Sequence, residues 1–147
     1  MKLKIGENEY NIKFGYKPTL KERIISKVVK MSNTTGVDGD TDMEKIEDLL
    51  LFLPELLLVG LQVYHKDFRY DYDTKDGKEE QLDKAFALVE EYMDGEDADV
   101  MAFFNQLQEA LLRDSFLRSL FQKEQKKQKA EEARANLTVV KTGQTEN

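Results

Sequence analysis

The sequence predicts a mainly α fold of the α+β class: an N-terminal β-hairpin, a bundle of four to five helices and a disordered C-terminal tail. Three observations predict it. Residues 1–14 alternate polar and apolar groups at period two around Gly6-Glu7-Asn8. From Leu20 to Phe121 the apolar groups recur mostly at helical spacing. From Gln122 to Arg134 they almost vanish, and Gln, Lys, Glu and Ala take over. On this reading residues 1–123 form one domain, and 124–147 are a charged helical extension and tail.

The hairpin comes first. Lys2-Leu3-Lys4-Ile5 is one strand, Gly6-Glu7-Asn8 supplies the turn, and Glu9 to Phe14 is the second strand. Leu3 and Ile5 should face the core, with Tyr10, Ile12 and Phe14 on the matching face. A lone two-stranded hairpin is marginal in water, so it must pack on helices or gain another strand.

Pro18 suits a helix start, and Leu20, Ile24, Ile25, Val28 and Met31 give a helix over 20–31. Residues 32–40 are rich in turn formers, and Thr41 or Asp42 can cap the next helix. That helix is expected over Asp42 to Phe68, where Pro54 either bends it or divides it in two. From Leu49 to Leu61 its apolar residues lie all round, so it is buried on every side, by its own domain or by another chain. The run is too short, and Glu55 too polar, for a membrane span. Phe68 to Asp73 reads as a short strand or a loop. A helix follows over Lys78 to Met93, with Leu82, Phe86, Val89 and Met93 in register. Asp97 should cap a last helix running from Ala98 past Phe121. Residues 136–147 should be disordered.

Composition excludes several functions. The chain has 147 residues, no Cys and one His, which removes disulfides, thiolate sites and two-His zinc motifs. A pI near 4.9 argues against nucleic acid as partner. No signal peptide is expected. Walker A, G-x-G-x-x-G and G-x-S-x-G patterns are all missing. Asp38 to Asp42 and Asp71 to Gly77 resemble calcium loops. Yet Leu49 and Leu82 stand where each needs its bidentate Glu. His65, beside Tyr64, has no Ser or Cys partner and reads as structural. No catalytic residue, metal ligand or cofactor is therefore expected, and the chain does not read as an enzyme.

The net charge of −7 is unevenly spread. Residues 1–35 carry eight bases and three acids, residues 36–109 six bases and 21 acids, and residues 110–147 eight bases and five acids. Basic ends flank an acidic middle, a pattern that either reflects solvated faces or helps copies associate. The last helix carries more apolar surface than one stripe. Phe103, Phe104, Leu107, Leu111, Phe116, Leu120 and Phe121 are either core or a surface for a partner helix, with Leu56, Leu57 and Leu58 as a second patch.

The opening segment, Lys2 to Tyr16 with its Phe14-Gly15 pair, followed by a Lys-rich helix, resembles the start of the tail assembly chaperones of long-tailed bacteriophages of Gram-positive hosts. The match covers about the first 30 residues; size, lack of Cys and the charged tail also agree. The resemblance implies a non-enzymatic protein of the host cytoplasm, absent from the finished virion. It would bind the long apolar tape measure protein, keep it soluble and help recruit tail tube subunits. It further implies self-association, and a longer product made by ribosomal frameshifting. The alternative is a structural or adaptor protein of a phage particle, or a helical regulatory protein.

Overall fold

The structure, a computed structural model, describes residues 1–34 and 43–120. The elements are β1 (Lys2–Ile5), β2 (Asn8–Asn11), α1 (Tyr16–Lys21), α2 (Ile24–Thr34), α3 (Met43–Leu61), α4 (Lys78–Met93) and α5 (Val100–Arg113), with a 3₁₀ turn at Lys66–Phe68. The fold is mainly helical with an N-terminal antiparallel hairpin, as the pattern predicts. The Asp38 to Asp42 stretch, the cap at Thr41 or Asp42, Phe121 and residues 124–147 lie outside the described residues.

In the hairpin Leu3 pairs with Tyr10 and Ile5 with Asn8. The two-residue loop needs a positive φ at its first position, and Gly6 supplies it at 61°. Leu3, Ile5, Ile12 and Phe14 are buried and Tyr10 is half-buried. The second strand is shorter than predicted. Regular strand ends at Asn11; the Ile12 N–H still donates to the Met1 carbonyl at 2.7 Å, and the chain then crosses α3, where the Lys13 N–H donates to the Gly60 carbonyl at 2.9 Å. Gly60 permits the crossing: a Cβ there would lie 2.9 Å from Ile12 and 3.2 Å from the Phe14 ring.

α3 is the hub, with α2, α4 and α5 packed on it and β1 against α4. Leu53, Leu56, Leu57, Leu58, Val59 and Leu61 are fully buried, so from Phe52 onward the apolar run is the centre of this domain; Leu50 and Leu51 are exposed, and burial on every side fails there because, among the described residues, no neighbouring helix covers that side of the early turns. Pro54 does not divide it. The helix runs through to Leu61 with Pro54 buried inside, and packing by the neighbouring leucines offsets the missing hydrogen bond. It ends earlier than Phe68, at a turn and the 3₁₀ segment, and Phe68 to Asp73 forms no strand.

The helix predicted over 20–31 is two helices. Arg23 adopts left-handed backbone, φ 53°, which costs a non-glycine residue about 1–2 kcal/mol. The break lets Glu22 point inward, its side chain only 3% exposed, onto Lys75 and Lys78. The α4 bounds match the prediction, although Ala85 and Val89 are its buried residues. The α5 cap is Asp99, not Asp97: Asp99 Oδ1 accepts from the Ala102 N–H at 3.0 Å. Nor does α5 run past Phe121 as one helix. Ser115 interrupts it, its hydroxyl donating back to the Leu111 carbonyl and accepting from the Leu117 N–H at 3.1 Å. Helical geometry resumes at Arg118.

Candidate interaction surface

The residues predicted to meet a partner divide sharply. Phe103, Phe104, Leu107 and Leu111 on α5, and Leu56, Leu57 and Leu58 on α3, are all buried. Phe103 stacks on Tyr92 of α4 with ring centroids 4.5 Å apart. In this fold these seven side chains are core and present no surface. The broad apolar face of α5 is spent against α3 and α4, because a helix packed on two neighbours needs more than one stripe.

Phe116 and Leu120 lie beyond the Ser115 break and are exposed. They do not stand alone. Tyr16 opens α1, and its ring meets Phe116 edge to face at 5.1 Å. Leu20 follows Tyr16 by four residues, on the same face of the helix. Tyr16 is 67% exposed and Leu120 62%, and Leu20 and Phe116 are exposed as well. Tyr16 and Phe116 thus join α1 to the segment after α5 in an exposed apolar ridge, with Leu20 on the Tyr16 face of α1 and Leu120 exposed four residues past Phe116. Fully burying such a side chain is worth roughly 1.5–3 kcal/mol.

Cations flank the ridge along the chain. Lys17 and Lys21 pair with Asp73 at 3.6 and 2.9 Å. Lys13, Arg23 and Arg118 are exposed and make no ion pair among the described residues. Sequence reasoning passed over Tyr16 and Leu20. A signal was present, since Pro18 fixes a helix start near Tyr16, and that start aligns Tyr16 with Leu20.

A second apolar face lies on α3, before its buried stretch. Met43, Leu50 and Leu51 are exposed, Met43 at 74%. With Glu47 they follow an i, i+4, i+7, i+8 stripe on one side of the helix. Glu44 and Asp48 border it. Val29, Tyr64 and Met101 are exposed singly, as is ordinary on protein surfaces.

The polar interior holds α1 against the loop that precedes α4. Glu22 receives Lys78 Nζ at 2.6 Å and also Lys75 Nζ. Burial pushes the Glu22 carboxyl up, but hydrogen bonds and charge from the two lysines outweigh this and leave it below the ordinary glutamate value. Burial, then the Glu22 carboxylate, pushes the neighbouring Tyr70 hydroxyl well up, and burial raises Tyr72. The Tyr72 hydroxyl donates to Gln62 Oε1 at 2.8 Å. Lys27 reaches Glu55 at 2.5 Å.

In the Asp71 to Gly77 segment, Asp71 caps its own turn and Asp73 reaches the lysines of α1. Asp71 Oδ1 accepts from the Asp73 and Thr74 N–H groups at 2.9 and 3.0 Å, and these bonds lower its pKa. A hydrogen bond from Lys21, with Lys17 nearby, lowers that of Asp73. Among the described residues no group of three or more His, Asp or Glu is placed to hold a metal. His65 begins the 3₁₀ turn with its ring between Tyr10 and Phe68. Among the same residues no helix is long and apolar enough to cross a membrane.

No protein-family model matches the chain, and no curated protein or solved structure matches it either.

Proposed function

We propose that this chain is a tail assembly chaperone of a long-tailed bacteriophage or prophage, holding the tape measure protein during tail assembly. The reading begins from the resemblance of the hairpin and its Phe14-Gly15 exit. The observation that carries it is the exposed ridge of Tyr16, Leu20, Phe116 and Leu120. Four large apolar side chains left in water on a small domain favour association with an apolar helical client. The acidic charge of the remainder would keep such a complex dispersed. Contact with tail tube subunits would come through a longer, frameshifted product. The protein would act in the host cytoplasm and be missing from the finished virion. It would use no catalytic residue and no cofactor.

Co-expression tests the proposal. The proposal requires a long helical tape measure protein encoded by the same phage, and that protein is produced with and without this chain. The proposal expects the long protein in the soluble fraction only when this chain is present. Equal insolubility in both cases would overturn it.

A further inference from the structure

α1 is tied to the body of the molecule mainly by charge. Thr19 is its one buried residue, and among the described residues the Thr19 hydroxyl has no hydrogen-bond partner. On one side Lys17 and Lys21 reach Asp73. On the other, Glu22 turns inward from the end of the helix to Lys75 and Lys78. All these partners lie between 73 and 78, on the turn that leads into α4. The ring contact of α1, Tyr16 on Phe116, stands at the surface.

Closure works against two local preferences. A buried hydroxyl without a partner would gain water on release. Arg23, which ends the segment, is held at φ 53° and would return to ordinary backbone. The turn, by contrast, stands without α1. Asp71 accepts from the Asp73 and Thr74 N–H groups, and the Lys75 N–H donates to the Asp71 carbonyl at 2.8 Å. Lys78 has a second carboxylate, Glu55, 4.0 Å away. The contact therefore joins a preformed turn to a short helix whose own backbone and buried side chain favour leaving.

We infer that α1 is a charge-held strap. Residues 16–22 swing off the 71–77 turn as a unit, about Gly15 and Arg23, and dock back while the core around α3 stays folded. A helix of six residues does not persist alone in water, so release also unwinds it. Tyr16 and Leu20 then leave Phe116 and Leu120, and the ridge is whole only while the strap is closed. The inference rests on the chaperone reading only for what the ridge holds.

Hydrogen exchange on the full chain, read amide by amide by NMR, tests it. The Thr19, Glu22 and Arg23 N–H groups donate to the Gly15, Pro18 and Leu20 carbonyls, so their exchange reports release. Asp73→Ala should speed it about threefold, and Lys75→Met about tenfold. Phe116→Ala should speed it about threefold through the lost ring contact. Raising salt from about 0.05 to 0.5 M should speed it about twofold. Thr19→Val should slow it, because the shape stays and the unpaired hydroxyl goes. The Leu56, Leu57 and Leu58 amides of α3 should hold their rates throughout.

Strap amides that exchange at the unprotected rate in the wild type would overturn the inference. So would unchanged exchange in Asp73→Ala or Lys75→Met, an acceleration shared equally by the α3 amides, or faster exchange in Thr19→Val. Unchanged exchange in Phe116→Ala would overturn the link between strap and ridge. Client solubility in co-expression is read separately: a wild type that fails to rescue the client overturns the chaperone reading and leaves the strap standing.

Discussion

Glu22 shows how one buried carboxylate shapes its surroundings. It lies at the α1–α2 break and draws Lys75 and Lys78 across the fold. Its folded pKa is depressed, so its stabilisation is complete above the unfolded value near 4.3 and is lost as pH falls through the lower folded value. Glu22→Gln should therefore cost about 1–3 kcal/mol at about pH 7, with the partly exposed lysines keeping the loss below that of a fully buried pair. The gap to wild type should hold down to about pH 5 and narrow as pH falls toward 3. Thermal melts across that range check both the size and the direction. Gly60 acts by absence. Gly60→Val should cost about 1–3 kcal/mol through overpacking against Ile12 and Phe14, measured by urea unfolding.

At the scale of elements, α5 and the segment after it do different work. Phe104 is core, and Phe104→Ala should lose about 3–5 kcal/mol. Leu120→Ser should shift stability by less than about 1 kcal/mol, because its side chain already stands in water. Chemical denaturation of the two variants separates the roles. The hairpin and α4 were legible in the sequence because turn formers bracket them and their periodicity is local. The break at Arg23 was not legible. Lys, Glu and Arg are good helix formers, and the partners that turn Glu22 inward lie 53 and 56 residues away. The Ser115 break was hidden because one hydroxyl replaces backbone bonds at both sides. The site was half legible for the same reason: surplus apolar residues on α5 were visible, but which of them face α3 depends on the packed helices. Phe116 and Leu120 were named; Tyr16 and Leu20 needed the start of α1.

Across the whole molecule, charge and apolarity are arranged together. The basic N-terminal segment carries half of the ridge, and the acidic middle carries both the core helix and its exposed acidic face. Most large apolar side chains are sunk around α3, and those that remain outside gather chiefly in two places. Such an arrangement is what the proposed chaperone role would use. The most direct test of the proposed chaperone role is the soluble yield of the tape measure protein that the proposal requires, co-expressed with wild type or with Tyr16→Asp at matched levels. The account predicts that wild type keeps it soluble and that Tyr16→Asp, folded and as stable to within about 1 kcal/mol, does not. Equal rescue by both proteins would contradict the account.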